Sequence, residues 1–320
     1  MKAVLLNGDN VNPDGDLSWS SFYDYFDNFI LYGNTSLEEL ADRIRDADII
    51  LYPDAHMNEE VLRHAEKLKY IGAFATGINF IDLDYCRKRG ITVTNIPGYS
   101  TQMVSQYAIA LLLEVCCQVG HHNKVIHEGK WMASGRHMFW DYPIIELSGK
   151  TAGIIGFGNI GRQSAKTLQA LGMKVLYSDV KRAESEESQN CQFAEKEEIF
   201  AKSDVIFLHC PLVPETRGLI DRPAIAAMKD GVILINNARG PLIDSAALAE
   251  ALKSGKVYAA GLDVTDPEPL PIDSPLISSP NCFITPHISW AAKESRERLV
   301  NMAFENVKAY LEGRPQNVVV

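Results

Sequence analysis

The chain alternates short apolar runs with segments whose apolar residues recur at helical spacing. In the first third, the apolar runs predict strands at residues 2–6, 48–52, 70–74 and 91–94. Between them, Ser36 and Glu39 have the spacing of a helix capping box, and Asn58 is placed to cap a second helix. Because strands that alternate with helices form parallel sheets covered on both faces, residues 1–98 are expected to form a domain of their own.

The same alternation resumes after a strongly apolar helix at about residues 101–114. Its apolar runs predict strands at residues 152–155, 174–178, 204–209, 232–236, 257–263 and 282–285. An amphipathic segment at about residues 291–311 predicts a long closing helix, which we expect to pack back on the first domain. The predicted fold class is therefore α/β, with two doubly wound parallel-sheet domains.

A glycine turn joins the first two strands of the second sheet. Gly156 allows a sharp turn out of the strand, Gly158 lets bare backbone approach a pyrophosphate, and Gly161 lets the next helix lie close on the sheet. Asp179 ends the following strand, where a carboxylate can accept hydrogen bonds from ribose hydroxyls. Strand, turn, helix and acid together predict a dinucleotide site of the Rossmann type. The alternative is a glycine-rich turn in another kind of α/β protein.

The residues after Asp179 bear on the choice between NAD and NADP. Lys181 and Arg182 could attract an extra 2′-phosphate, whereas the Asp179 carboxylate repels that phosphate and competes for the same space. We therefore predict NAD as the cofactor.

The composition is that of a globular protein, with 46% hydrophobic and 22% charged residues in a chain of 320. A formal net charge of −10 argues against general affinity for nucleic acid or an anionic membrane, so neither is expected as a partner. The first ten residues hold too short an apolar run for a signal peptide. Six scattered cysteines then predict reduced thiols and a cytoplasmic location.

A segment rich in histidine and aromatic residues precedes the glycine turn. Its histidines have no carboxylate or cysteine beside them at a repeated ligand spacing, so no metal site is predicted. The segment also carries a heavy load of large aromatic side chains, at Trp131, Phe139, Trp140 and Tyr142. This load favours burial against a second subunit or the facing domain over exposure to water.

Three polar residues follow strands of the second sheet, where carboxyl ends of parallel strands share one edge. Arg239 can clamp a carboxylate through two hydrogen bonds and polarise a neighbouring carbonyl. His287 can donate a proton to the oxygen of a carbonyl that receives hydride, and Glu268 can favour and orient the charged imidazolium. Singly, each has an ordinary structural explanation. Together, beside a dinucleotide fold, they predict an active site.

The order of these motifs resembles that of the D-isomer-specific 2-hydroxyacid dehydrogenase family. The segments that carry the resemblance are ATGINFID, ITVTNIPGYST, GKTAGIIGFGNIGR, VIFLHCPLVPETRGLI, INNARGPLIDSAAL, GLDVTDPEPLP and ITPHISWAAKESR. Within the family, HHNKVIHEGKW, FWDYPIIELSGKTAGIIGFG and PHISWAAKE are most similar to the glycerate dehydrogenase (hydroxypyruvate reductase) branch.

The resemblance implies a division of labour between two domains. Residues 1–98 with 290–320 would form a flavodoxin-like substrate domain, and residues 99–289 a Rossmann NAD-binding domain. It also implies a homodimer built around the helix after Pro97 and the aromatic segment, and closure of the two domains over the substrate.

The resemblance further implies roles for individual residues. Arg239, Glu268 and His287 would be catalytic, and Thr76 and Gly77, in a loop that also reads as a simple tight turn, would bind the substrate carboxylate with Arg239 and His287. Positions that match the family's cofactor contacts are Gly156, Gly158, Asn159, Ile160, Gly161, Asp179, Cys210, Thr216, Asn237, Ala238 and Asp263.

Departures from the family pattern refine the expected substrate. Trp290 stands where many relatives have a small residue, although the glycerate dehydrogenase branch has a Trp there, and it should narrow the pocket beside His287. Asn237 replaces a common Thr, Ser or Val, which should not affect catalysis. Residues 52–56 contain no Lys or Arg to hold a phosphate, which weakens the case for 3-phosphoglycerate.

The leading hypothesis is NADH-dependent reduction of small 2-oxo acids, hydroxypyruvate and glyoxylate, to D-2-hydroxy acids. A second hypothesis is an NADH-binding redox sensor, because the family resembles transcriptional corepressors that keep the dehydrogenase fold. The lack of long disordered tails counts against it. A third is a dehydrogenase of D-lactate or of bulkier oxo acids.

Overall fold

The computed structural model describes residues 1–52 and 57–320, and in it the chain divides into two compact units. One unit comprises Met1–Ser100 and Trp290–Val320, and the other comprises Thr101–Ser289. Each unit is built on its own parallel sheet, which confirms the predicted fold class. The assignment of substrate and NAD-binding roles to the two domains, with a boundary at residue 98, stays a prediction.

The first unit contains a five-stranded parallel sheet. Its elements along the chain are β1 (Ala3–Leu5), α1 (Ser20–Tyr25), β2 (Phe29–Leu31), α2 (Leu37–Ile44), β3 (Ile49–Tyr52), α3 (Glu59–Leu62), β4 (Tyr70–Ala73), α4 (Leu83–Arg89) and β5 (Thr92–Thr94). The strand order is β2-β1-β3-β4-β5, which is that of flavodoxin-like folds. The loop after β3, whose lack of Lys and Arg entered the substrate argument, falls at 53–56, outside the described residues.

Local sequence signals set the helix ends of this unit. The capping box of α2 is present, with the Ser36 hydroxyl accepting from the Glu39 N–H and the Glu39 carboxylate accepting from the Ser36 N–H. Asn58 caps α3 in the same way, through the Val61 N–H. Each cap satisfies backbone groups that the first helical turn leaves without an intrahelical partner.

The second unit contains a seven-stranded parallel sheet. Its elements are α5 (Thr101–Cys117), α6 (Val119–His127), α7 (Lys130–Ser134), β6 (Thr151–Ile155), α8 (Asn159–Ala170), β7 (Lys174–Ser178), β8 (Cys191–Phe193), α9 (Lys196–Lys202), β9 (Val205–Leu208), α10 (Arg222–Ala227), β10 (Val232–Asn236), α11 (Ser245–Ser254), β11 (Val257–Leu262) and β12 (Cys282–Ile284). The strand order is β12-β11-β10-β9-β6-β7-β8. From β6 the chain adds β7 and β8 on one side of the sheet and then β9 to β12 on the other. The boundary between β6 and β9 is therefore the topological switch point of a Rossmann fold.

Two short strands were not predicted. β2 and β8 each have three residues and lie at an edge of their sheet, where the pairing with one neighbour defines them. β1, β5 and β12 are equally short and were predicted, so strand length does not explain the omission; the pairing of β2 and β8 in the fold is what defines them.

Apolar layers cover both faces of the seven-stranded sheet. On one face, α5 and α8 pack through residues such as Leu112 and Leu168. On the other, α9 to α11 pack through residues such as Phe200 and Leu248. No single helix in the described part of the chain is long and apolar enough to cross a membrane. Together α5 and α6 pass that test by length and composition, with a 57° bend between them.

The closing helix, α12 (Lys293–Leu311), belongs to the first unit. Its apolar residues Leu299, Val300 and Val307 join the core cluster that contains β1 and β3 residues. Asn306 is 1% exposed, and its Nδ2 donates to the Asn95 carbonyl while its Oδ1 accepts from Asn317. These two bonds fix the helix to the chain after β5 and to the C-terminal tail.

We expect Asn306→Ala to lower the free energy of unfolding by about 1–3 kcal/mol, because it leaves the Asn95 carbonyl and the Asn317 amide without this partner. Asn301 lies on the same helix but is exposed, so Asn301→Ala makes the same change of helix propensity without losing buried bonds. Urea unfolding of both variants measures the difference. Equal stabilities would show that the Asn306 bonds contribute nothing.

Candidate active site

Three neighbouring strands carry the polar residues singled out at strand ends. β10, β11 and β12 lie side by side, and Arg239, Glu268 and His287 follow them in that order. Because the strands are parallel, all three residues emerge at one edge of the sheet. The second unit alone therefore brings this set together.

Within this set, a hydrogen bond joins His287 to Glu268. The His287 Nδ1 lies 2.8 Å from the Glu268 Oε2, and the other carboxylate oxygen accepts from the Thr265 N–H at 2.9 Å. Burial by itself would raise the pKa of Glu268. The hydrogen bond and charge of His287, the Thr265 N–H and the charge of Arg239 outweigh burial and lower that pKa. An ionised Glu268 accepts from Nδ1–H, which fixes the orientation of the ring.

A buried carboxylate holds the backbone around His287. His287 has φ +57°, in the left-handed region that a non-glycine residue rarely adopts. Asp263, at the end of β11, is fully buried, and its carboxylate accepts from the Thr285 hydroxyl and from the N–H groups of Ile288 and Ser289. Donors on both sides of His287 thus converge on one anion, which stabilises the turn that presents the imidazole.

A second polar side chain shapes the turn that carries Arg239. Asn236, the last residue of β10, accepts from the Ala238 N–H through Oδ1 and donates to the Arg239 carbonyl through Nδ2. At the next residue, a Cβ on Gly240 would come within 1.9 Å of the Thr265 carbonyl oxygen. The Arg239 and Glu268 loops therefore pack backbone against backbone, and only glycine fits between them.

The glycines of the turn after β6 differ in what surrounds them. Gly156 has φ +98°, and a Cβ there would lie 2.3 Å from the Cys210 nitrogen. A Cβ on Gly161 would lie 2.2 Å from the Gly156 oxygen, where α8 meets the turn. A Cβ on Gly158 would meet nothing within 4 Å in the described part of the chain. Two of the glycines thus permit packing, and the third leaves open space over the start of α8.

That open space is suited to an anion. Gly158 directly precedes α8, and the first residues of the helix, Asn159 and Ile160, have backbone N–H groups beyond the intrahelical ladder. The Asp179 carboxylate lies beside this turn: its Oδ2 accepts from the Phe157 N–H at 2.5 Å, and its Oδ1 from the Lys181 N–H at 3.3 Å. The residues present fit a dinucleotide with its phosphates at the helix end.

The remaining predicted cofactor positions lie on loops at the same sheet edge. Cys210 is buried beside Gly156, and burial raises the pKa of its thiol to about 11. The Thr216 hydroxyl donates to the Pro211 carbonyl and closes that loop. Asn237 is buried and donates to the Val104 carbonyl, yet its Oδ1 has no hydrogen-bond partner among the described residues. An orphaned buried acceptor is costly and indicates a donor supplied by a ligand. That these positions bind the cofactor stays a prediction.

The predicted substrate loop lies in the first unit. The Thr76 hydroxyl donates to the Ile96 carbonyl, and the Thr76 carbonyl accepts from Asn95. Trp290 also belongs to this unit, where its ring lies 6.4 Å from that of Tyr99. The expected approach of Thr76 and Gly77 to the substrate, and the narrowing of the pocket by Trp290, stay predictions.

Sequence reasoning passed over several residues that build the site. Asn236 had a signal, since a polar residue at the end of a buried strand needs a partner. The trio Ser105, Ser164 and His209, of which the two serines are buried and His209 is half-buried, had none, because the hydrogen bonds that join it connect α5, α8 and the end of β9 across the fold. Burial lowers the pKa of His209 to about 4, so its ring is neutral at pH 7.

The histidine-rich segment forms local contacts. His121 Nε2 lies 2.8 Å from Asp141, and His122 Nδ1 lies 2.8 Å from the Gln118 carbonyl. Within 1–52 and 57–320, no group of three or more His, Cys, Asp or Glu side chains is placed to hold a metal ion.

Comparison with known proteins identifies relatives along the whole chain. Residues 109–289 match the family model described as D-isomer specific 2-hydroxyacid dehydrogenase, NAD binding domain. The chain is 51% identical to a hydroxypyruvate reductase of Blautia hydrogenotrophica over 100% of this chain and 99% of that protein. It is 38% identical to a glycerate dehydrogenase of Methylorubrum extorquens over 88% of each. A D-lactate dehydrogenase from Aquifex aeolicus, solved with NAD and lactic acid, has a TM-score of 0.85 at 30% identity and covers 98% of this chain and 96% of its own.

The contrast between two glycines can be tested with one methyl group. We expect Gly161→Ala to lower the free energy of unfolding by about 1–3 kcal/mol, because the added Cβ overlaps the Gly156 oxygen. Gly158→Ala should keep wild-type stability within about 0.5 kcal/mol, since its Cβ meets only open space. It should nevertheless weaken NADH binding at least about tenfold, measured by calorimetric titration, because the methyl group blocks the approach of phosphate. Wild-type affinity in Gly158→Ala would rule out this pyrophosphate position.

Proposed function

Because the chain belongs to the D-isomer-specific 2-hydroxyacid dehydrogenase family, we propose that it reduces hydroxypyruvate and glyoxylate to D-glycerate and glycolate with NADH. The observation that carries this proposal is the His287–Glu268 hydrogen bond, next to Arg239, at the edge that also presents the glycine turn. That set combines an acid, its orienting carboxylate and a carboxylate clamp with a dinucleotide fold.

The glycine turn, the start of α8 and Asp179 would hold the cofactor. When bound, NADH supplies the hydride that reduces C2 of the oxo acid. The orphaned Oδ1 of Asn237 supports a ligand donor deeper in the site, as an amide group would provide.

The three strand-end residues divide the remaining work. Arg239 binds the substrate carboxylate and polarises the neighbouring C2 carbonyl, with Thr76 and Gly77 as further carboxylate contacts. His287 donates the proton to the C2 oxygen from Nε2, because Nδ1 is engaged by Glu268. Glu268 stabilises the charged imidazolium before transfer and holds its orientation, which its lowered pKa supports by keeping it ionised.

Among the substrates of the family, small unphosphorylated oxo acids are the ones we propose for this protein. The relatives at 51% and 38% identity are a hydroxypyruvate reductase and a glycerate dehydrogenase, and three others at 35–38% are glyoxylate reductases. Two D-3-phosphoglycerate dehydrogenases are also 37–38% identical, but this chain spans only about half of their length. The sequence of residues 52–56 offers no Lys or Arg for a phosphate. Trp290 adds bulk at the position directly after Ser289, whose N–H is bound to Asp263 in the His287 turn.

A panel of 2-oxo acids tests the proposal. Purified protein should oxidise NADH, followed by the loss of absorbance at its reduced nicotinamide, fastest with hydroxypyruvate or glyoxylate. Faster turnover of pyruvate or of branched oxo acids would favour a D-lactate or bulkier-substrate dehydrogenase. Tight NADH binding without turnover of any oxo acid would contradict the proposal and favour a redox-sensing protein.

His287→Ala isolates the proposed proton donor. We expect turnover to fall by about 10²–10⁴-fold with NADH affinity kept, since general acid catalysis contributes about that much. His64, an exposed histidine that lies outside both the candidate site and the α6–α7 segment, provides the control, and His64→Ala should match wild type in both measurements. Turnover that survives in His287→Ala would remove His287 from the mechanism.

We further propose that the protein is a homodimer, joined through the segment that holds α6 and α7. This segment exposes large apolar side chains: Val119, Trp131, Met132, Met138, Trp140 and Ile144 are 43–71% exposed in the single chain. So much apolar surface in one short segment is typical of a subunit contact, and a second copy is the occupant that the family resemblance supports. The free thiols support a reducing, cytoplasmic location, which stays a prediction.

Light scattering after gel filtration tests the dimer. Wild type should have twice the mass of the chain, and Met132→Glu combined with Trp140→Glu should shift it to the monomer, because two charges would be buried at the contact. Ile272 is 87% exposed outside the segment, so Ile272→Glu should remain dimeric. A wild-type monomer at micromolar concentration would contradict the assignment.

A further inference from the structure

Arg182 is one of the two basic residues after Asp179 that could attract a 2′-phosphate, and the structure engages it elsewhere. Its guanidinium forms a two-pronged contact with Glu187: Nε lies 2.6 Å from Oε1 and Nη2 lies 2.8 Å from Oε2. Such parallel bonds use the same fork of donors that an arginine presents to a phosphate. While Glu187 accepts these bonds, the Nε and Nη2 donors of Arg182 cannot make the same two-pronged contact with a phosphate.

The Glu187 carboxylate is itself fixed by the core of the unit. The buried Tyr177 donates its hydroxyl to Glu187 Oε1 at 3.0 Å and accepts from the Ala183 N–H at 3.0 Å. The Tyr177 ring stacks on Phe157 of the glycine turn, with centroids 3.8 Å apart. A chain of contacts from Phe157 in the glycine turn through Tyr177 therefore holds the Glu187 carboxylate in place.

A third partner completes the surroundings of Arg182. The guanidinium carbon lies 5.6 Å from the centre of the Phe193 ring, on edge strand β8. The ring of Phe193 in turn meets Tyr177 edge to face at 5.7 Å. Carboxylate and ring together give the guanidinium an anionic and an aromatic contact at once, the two interactions arginine favours.

Arg182 lies close in sequence to the acid that faces the ribose. It lies three positions after Asp179, a span of at most about 11 Å of backbone, and its own side chain extends the reach of the charge further. In dinucleotide folds an arginine near this point accommodates the 2′-phosphate of NADP. Its capture by Glu187 therefore has a consequence for the choice of cofactor.

We propose that Glu187 is a specificity-determining positioning residue, which excludes NADPH by holding Arg182 away from the 2′-phosphate site. Discrimination then has two parts: Asp179 repels the phosphate, and Glu187 withholds Arg182, one of the two cations that could attract it. This inference rests on the proposed dinucleotide site and extends it.

The two parts make the effects of substitution non-additive. With Asp179 present, a released Arg182 still faces a repelling carboxylate, so Glu187→Gln alone should improve NADPH affinity only slightly. In an Asp179→Ser background we expect Glu187→Gln to improve NADPH affinity by about tenfold, the effect of one added charge-assisted contact. NADH, which lacks the phosphate, should bind within about twofold of the Asp179→Ser affinity.

Calorimetric titration of NADH and NADPH into the variants tests this directly, without reliance on turnover. The gain from Glu187→Gln should disappear when Arg182→Ala is added, because Arg182 is the group released. An equal gain with and without Arg182, or no gain in the Asp179→Ser background, would overturn the proposal.

A second arginine fork of the same unit supplies the matched control. Arg222 and Glu250 form a comparable exposed pair. Glu250→Gln removes the same charge at another site and should leave NADPH affinity unchanged. If it matched the gain from Glu187→Gln, net charge alone would explain the effect and the proposal would fail. Failure of wild type to bind NADH would instead refute the dinucleotide site itself, so the two failures are distinguishable.

Discussion

The parallel direction of every strand in the seven-stranded sheet is the constraint on which the candidate site depends. Parallel pairing sends all carboxyl ends to one edge, so loops that are far apart in sequence meet there. The glycine turn leaves β6 at that edge, and Arg239, Glu268 and His287 leave β10, β11 and β12. The dinucleotide half of the site and its chemical half are thus consequences of one topology.

Parallel strands deliver loops to the edge, but buried polar side chains decide the geometry within it. Asn236 and Asp263 each stand at a strand end and bind the backbone of the next turn. A buried carboxylate needs several donors, and the turn around His287 supplies them. The dependence is mutual, because the same hydrogen bonds stabilise the positive φ of His287 in that turn.

Near the glycine turn, the charged side chains of Asp179 and Arg182 both have hydrogen-bond partners. Asp179 is tied to the glycine turn, and Arg182 is tied to Glu187, whose own position is set by Tyr177 and Phe157. Through the stacked rings of Phe157 and Tyr177, the glycine turn is therefore also connected to the Arg182–Glu187 pair.

The sequence by itself determined the fold class, the glycine turn with its acid, and the identity of the three strand-end residues. These rest on local signals: apolar periodicity, caps, and the need for glycine where backbones approach closely. It passed over β2 and β8, which are defined by pairing with one neighbour at a sheet edge, and the Ser105–Ser164–His209 trio. Only the tertiary structure decided that Asp263 anchors the His287 turn and that Glu187 engages Arg182. Such roles depend on which donors surround a carboxylate, and for Asp263 these come from the end of a different strand.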